Sequence, residues 1–112
     1  LKTESGHLLE LDDTVGAERI SIAHRSGTFH SIEPDGSQMT RIVNDQYTVI
    51  CKDNEVHIGG KVNVVIMGDA TLDIGGDAKI NVAKTTAIES KENLSVVAPE
   101  ISLNGGIIKL NS

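Results

Sequence analysis

The residues 56–82 read VHIGGKVNVVIMGDATLDIGGDAKINV and nearly repeat themselves every eight residues. We number each block of eight, or octad, from Val56, which occupies position one. Glycine recurs at position five of the first three octads, at Gly60, Gly68 and Gly76. The spacing and parity of this repeat decide the predicted fold.

Positions one, three and seven of an octad share a parity, so in an extended strand they lie on the same side. The residues there are mostly apolar, whereas the other parity is mostly polar. The apolar residues predicted to point inward are Val56, Ile58, Val64, Ile66, Leu72, Ile74, Ile80, Val82, Ile88, Leu94 and Val96. Each octad is therefore predicted to be one short strand with an apolar side.

Glycine at position five costs a strand about 0.5–1 kcal/mol, so we expect it to serve a bend or a close backbone approach. Short kinked strands that repeat in this way are typical of a β-helix or solenoid. The glycines stop after Val82, and we expect the helix to change width or winding there.

The interior of a β-helix built from this chain would be poorly filled. The sequence has one Phe, one Tyr and no Trp, and it has 11 glycines. Aromatic residues normally supply much of a core, so a single-chain coil is disfavoured. We predict an all-β, intertwined triple-stranded β-helix, a prism of three copies in which ten octads climb roughly 50 Å at the usual strand spacing.

The residues before the octads show short alternating runs separated by turn formers such as Pro34-Asp35-Gly36. The predicted strands are HLLEL, ERISIAH, TFHSI, QMTRIV and QYTVICK. No segment has the apolar period of a helix. We divide the chain into a strand-and-turn collar at 1–39, the octad helix at 40–98 and a tip segment at 99–112.

Composition excludes several classes of function. The 112 residues carry 16 Asp and Glu against 10 Lys and Arg, a net charge of −6, which disfavours a nucleic-acid partner. The single cysteine, Cys51, permits no internal disulfide. No apolar run approaches a membrane span, and no signal peptide opens the chain. The first residue is Leu1 rather than Met, which we interpret as a fragment or a processed chain.

Almost the whole sequence resembles a known family. The run ELDDTVGAERISIAHRSG at residues 10–27, PDGS at 34–37 and the glycine-spaced octads are similar to the central spikes of contractile-tailed phages. They resemble the C-terminal β-helix region of the tail-associated lysozyme of T4-like phages, and the type VI secretion spike called valine-glycine repeat protein G. In these families the passage follows an OB-fold or an intervening lysozyme domain.

The resemblance implies a homotrimeric needle at the tip of a phage tail baseplate, which pierces the host outer membrane. A lysozyme domain is missing from this sequence, so we expect no enzyme activity and no cofactor in it, while a full-length parent protein could carry such a domain. No histidine lies near the C-terminus, so we expect no metal-capped tip. Relatives imply docking of a PAAR-repeat tip protein at Ile107, Ile108 and Leu110, and attachment of the N-terminal end to the baseplate hub or tail tube.

Several residues raise a chemical alternative that we weigh against a structural one. Glu10, Asp12 and Asp13 suit a reacting pair of acids or a cation site, but Asp-Asp-Thr before Gly is ordinary turn chemistry. His24 and His30 have no ligand pattern around them and are predicted surface histidines, as is His57. Cys51 is predicted to be a strand thiol without a chemical role.

Polar residues at predicted inward positions need partners, so water or an ion is expected on the axis. These residues are Thr86, Ser90 and Ser102.

Three other functions are open from the residues alone. A type VI secretion spike and a trimeric receptor-binding tail fibre share the prism, but a fibre usually ends in an aromatic-rich head, whereas this chain ends in IIKLNS. A β-helical polysaccharide lyase or hydrolase would need a carboxylate cluster on a single-chain coil.

Overall fold

A computed structural model of the chain describes residues 1–111, and β-strands are the only regular elements in that part. The predicted all-β class is therefore confirmed. Four strands form one antiparallel sheet in sequence order: β1 (Leu8–Asp12), β2 (Arg19–Ala23), β3 (Phe29–Ile32) and β4 (Gln38–Arg41). These strands match the first four predicted runs, except that β1 extends one residue beyond HLLEL, to Asp12. The part of the chain that is described contains no helix that could cross a membrane.

Three of the turns around the sheet share one construction. In each, the amide of a glycine donates to the carbonyl three residues earlier: Gly6 to Thr3 at 3.1 Å, Gly27 to His24 at 3.0 Å and Gly36 to Glu33 at 2.9 Å. The φ angles of these glycines are 94°, 103° and 87°. Residues that carry a Cβ rarely adopt such positive φ angles. The sequence therefore places glycine where a type I turn with a glycine bulge requires it.

The first of these turns adds a short edge segment to the sheet. It folds residues 1–3 back along β1, where the Leu9 amide donates to the Leu1 carbonyl at 2.7 Å. The sheet therefore extends by one short, antiparallel segment beyond β1.

The longer connection between β1 and β2 is stabilised by its own polar side chains. The Ala17 amide donates to the Thr14 carbonyl at 2.8 Å, with Gly16 at a φ of 83°. The Asp12 Oδ1 accepts a hydrogen bond from the Thr14 amide at 2.9 Å. Asp12 therefore acts as the turn former that its position before Asp-Thr indicates.

The two faces of the sheet differ in chemistry. One face carries the buried pair Ser21 and Ser31, which lie opposite each other on β2 and β3. The Ser31 hydroxyl donates to Glu33 Oε1 at 2.9 Å, and Arg19 Nε lies 3.5 Å from the same oxygen. The other face, which we call the apolar face, carries Leu9, Leu11, Ile20, Ile22 and Ile32. Thus the sheet buries no hydrophobic side chain of its own.

Beyond Arg41 the described chain forms no further strand. The fifth predicted run, QYTVICK at residues 46–52, forms no strand and ends in the bend at residues 51–52. The chain divides into two compact units, Leu1–Val62 and Asn63–Ser112. The structure shows one sheet in one chain, so the three-chain prism and the three predicted regions stay predictions.

The backbone bends with the period of the octads. Bends occur at residues 43–44, 51–52, 59–60, 67–68, 75–76, 83–84, 91–92 and 99. They fall at positions four and five, where the glycine repeat predicted a kink. Four of the bends contain no glycine or proline, as at Ala83-Lys84, so the bend continues where the glycines have stopped.

The glycines in the octads differ from those in the turns. Their φ angles are not positive, and in this single chain a Cβ added to Gly60, Gly68 or Gly76 would meet nothing within 4 Å. The bend itself therefore does not require glycine. The remaining physical reason is a close approach by something outside the chain.

Candidate functional site

The candidate functional surface is the whole octad region. Every described residue from 43 to 111 is exposed. No backbone–backbone hydrogen bond occurs within residues 42–62 or within residues 63–111. A folded chain normally pairs nearly all of its backbone amides and carbonyls, so these rows of free groups are suited to bind other strands.

The predicted inward residues form part of this surface. All eleven are exposed in the single chain: Val56, Ile58, Val64, Ile66, Leu72, Ile74, Ile80, Val82, Ile88, Leu94 and Val96. Burying a side chain of this kind is worth about 1.5–3 kcal/mol, so leaving the whole series in water is unfavourable. The structure therefore presents an apolar series and free backbone groups on the same segment, although which side chains face an axis stays a prediction.

The predicted docking residues Ile107, Ile108 and Leu110 are also exposed. They follow Gly105 and Gly106, and the backbone bends at Gly106. They therefore form a short apolar segment near the C-terminus of the described chain.

The polar residues predicted to line an axis make few contacts within the chain. The Ser90 hydroxyl donates to the Asn93 carbonyl at 3.0 Å, which ties it across the bend at residues 91–92. A hydroxyl held in this way keeps its lone pairs free to accept a hydrogen bond.

The acidic residues of the first turn lie at the end of β1. Hydrogen bonds from Thr14 lower the pKa of Asp12, first through its side chain and then through its amide. Among residues 1–111, no group of three or more His, Cys, Asp or Glu side chains is placed to hold a metal ion. The geometry at Asp12 is that of a turn rather than of a reacting pair of acids.

The histidines make local contacts. His24 Nδ1 lies 2.8 Å from the Ser26 hydroxyl, and its ring centroid lies 4.5 Å from that of His7. His30 Nδ1 lies 2.8 Å from the Thr40 hydroxyl. His57 lies 3.6 Å from the Glu55 carboxylate. Cys51 is a free, exposed thiol at a bend.

Sequence reasoning missed one surface. The apolar face of the sheet is exposed at four of its five residues, and the fifth, Ile32, is partly exposed. The alternation of Leu9 with Leu11 and of Ile20 with Ile22 could have revealed it, because two adjacent strands with this pattern share a face. We had assigned these runs only to a collar.

Comparison with known proteins identifies two phage relatives. The protein Gp5 of Vibrio phage KVP40 is 48% identical over 71 residues, which cover 63% of this chain and 17% of the relative. The pre-baseplate central spike protein Gp5 of Enterobacteria phage T4 is 33% identical over 76 residues, covering 68% of this chain and 12% of the relative. No protein-family model matches the chain.

The chain aligns with less than a fifth of the length of either relative. The relatives agree with the predicted class, a structural protein of a phage baseplate, which is a virion component. The predicted resemblance is confirmed: part of this chain is similar to the protein Gp5 of phage KVP40 and to the pre-baseplate central spike protein Gp5 of phage T4.

Proposed function

We propose that three copies of this chain wind together as the shaft of a spike that pierces the host outer membrane from the tip of a phage tail. The octad region carries this proposal, because its apolar side chains and free backbone groups lie on one exposed segment. The similarity to a central spike protein supports it further.

The exposed surface supports association. The chain exposes 11638 Å². A folded monomer of 11.9 kDa would expose about 6,000 Å². The excess of more than 5,000 Å² is as large as an obligate interface, and such interfaces are usually more hydrophobic than transient ones. The octads offer an apolar series of that kind.

Free backbone groups favour strands of the same chain as partners. An octad with the same bend, the same length and the same parity can pair along its whole length with another octad. A closed arrangement of copies leaves no free lateral edge, which prevents stray strand pairing. The Val, Ile and Ala side chains of three copies together fill a narrow interior. We also propose that waters or ions on the axis bridge the copies of Thr86, Ser90 and Ser102.

Sedimentation tests the trimer. We expect a single species of three times the chain mass of 11.9 kDa in native buffer, and resistance of that species to SDS. Because every described residue from 43 to 111 is exposed in the single chain, folding and association of the octad region should occur together. A monomer with a full β-sheet spectrum would contradict the proposal.

Piercing is proposed as a mechanical function, with no reaction catalysed by the shaft. Strands that lie across the long axis place their ladder hydrogen bonds along it, so an axial load is shared by many bonds and layers. The charge of −6 on each chain repels anionic lipid, which keeps the shaft from adhering during passage.

At the C-terminal end, the exposed segment Ile107, Ile108 and Leu110 is proposed to dock a PAAR-repeat tip protein. The N-terminal end is proposed to face the baseplate hub or tail tube. No nucleic acid partner is proposed, because the chain is acidic.

Breach of the outer membrane can be measured during infection with phage particles that carry the whole spike. Particles with Ile107→Ser and Leu110→Ser should adsorb normally, but they should admit an impermeant periplasmic dye several-fold more slowly than unmodified particles. The control is Lys109→Ser, which changes a polar neighbour. Equal dye entry in all three would exclude a role for this apolar segment in piercing.

A further inference from the structure

The octad repeat specifies which side chains share a side of the strand, but it does not specify which octad of one copy lies beside which octad of another. If one copy shifts by eight residues, Val64 takes the place of Val56, Ile66 that of Ile58 and Gly68 that of Gly60. The backbone bends also recur at this interval. A repeat of this kind is prone to register slips, because the shifted pairing keeps its apolar side.

The sheet at residues 8–41, unlike the octads, has a single defined pairing. Its strands are hydrogen-bonded within one chain and its sequence does not repeat at eight residues. Its turns are fixed by glycines with positive φ, such as Gly27 and Gly36. The sheet can therefore form in each copy before the octads pair.

The apolar face of this sheet continues into the octad region. Ile22 pairs with His30, and His30 pairs with Thr40, so these residues share a face. Ile42 follows Thr40 by two residues before the first bend and keeps the same parity. Ile42 occupies position three, which is the predicted inward series of the octads. A copy packed against Ile42 therefore lies beside the apolar face.

The opposite face is already satisfied within the chain. Its central residues Ser21 and Ser31 are buried, and Glu33 binds both the Ser31 hydroxyl and Arg19. Leu8 and Phe29 on this face are only partly exposed, and Met39 is exposed on β4, whereas four of the five residues of the apolar face are exposed. The apolar face therefore gains more by being covered.

We propose that the apolar face packs against the same face of the other copies and sets the alignment of the octads. This proposal deepens the proposed trimer and rests on it. The face acts as a registration surface, since only one alignment lets the sheets of all copies meet.

Two variants of equal exposure test this surface. Ile22 on the apolar face and Met39 on the other face are both 57% exposed. The test variant is Leu9→Thr with Ile22→Thr, a cross-strand pair. Met39→Thr is the control, and threonine keeps a high strand propensity in both. A spin label on the single exposed Cys51 reports the distances between copies.

We expect one narrow distance distribution for the parent chain and for Met39→Thr. For the double variant we expect a broad or split distribution and a refolded yield several-fold lower. A narrow distribution with the parent's yield would overturn the proposal, as would an equal effect of Met39→Thr. If the double variant aggregates, Leu11→Thr with Ile20→Thr decides in the same way.

If the proposed trimer is wrong, sedimentation shows it independently of the distances, because the unlabelled parent chain would then sediment as a monomer. If another part of a longer protein covers the apolar face, the double variant of this chain would keep the parent's distances. That result also counts against the registration surface.

Discussion

At the residue scale, the chain uses glycine in two ways. Gly6, Gly16, Gly27 and Gly36 adopt positive φ in turns, where the backbone itself selects glycine. The octad glycines have no positive φ and open space around them in the single chain. The two groups therefore predict different outcomes of substitution.

Gly36 tests the first group. Its φ is 87° and a Cβ there would meet nothing within 4 Å, so only the backbone angle opposes a side chain. We expect Gly36→Ala to destabilise the hairpin by about 1–2 kcal/mol, seen as a lower midpoint of thermal unfolding. Gly36→Asn should lose less, because asparagine tolerates this region. Equal losses would show that space rather than φ decides.

Asp35 predicts a pH dependence. Hydrogen bonds from Ser37, chiefly from its amide, lower the pKa of this carboxyl in the folded chain. A lowered folded pKa gives stability that is present above the unfolded pKa and is lost as pH falls through the folded pKa. Thermal unfolding of Asp35→Asn should therefore change less between pH 7 and pH 3 than that of the parent. Ser37→Ala, which keeps the Asp35 carboxyl and the amide hydrogen bond to it, serves as the control and should retain most of the pH dependence.

At the element scale, the sequence predicted β1 to β4 because their pairing is local and their turns carry Pro, Asp and Gly at the required places. QYTVICK has the same strand composition, but no segment of this chain pairs with it. Propensity identifies an extended run, whereas a strand ladder needs a partner. The octad period was also readable from its apolar positions as far as Val96, but the bends after Val82 were not, because only the glycines had marked a kink.

The octad glycines give a prediction at this scale. A Cβ at Gly68 would meet nothing within 4 Å in the single chain. In the proposed trimer the other copies supply the close approach, so Gly68→Val should strongly reduce the yield of assembled trimer. Lys84→Val is the matched control, since position five of that octad already carries a long side chain at a bend. Asp69→Ala, one residue away, should also assemble normally. Native gels or sedimentation compare the yields, and equal loss for Gly68→Val and Lys84→Val would contradict this role.

At the scale of the whole molecule, the candidate site was only partly predictable. Parity predicted which octad residues share a side, because alternation along a strand is a local property. The apolar face of the sheet was not recognised, because Leu9, Ile22 and Ile32 come together only through the register of three strands.

The charge of −6 per chain accumulates with each copy, so high salt should favour association.

The regular bends have a consequence for the length of the shaft. Because a bend returns every eight residues even without glycine, the octad is a modular unit that can be removed or duplicated whole. Deleting residues 72–79 should leave a trimer shorter by about 4.8 Å, one strand spacing, measurable by small-angle scattering. Deleting residues 72–75 keeps parity but breaks the interval between bends, and it should prevent assembly. The length of a shaft built in this way changes in units of one octad, so it can differ among relatives by whole octads.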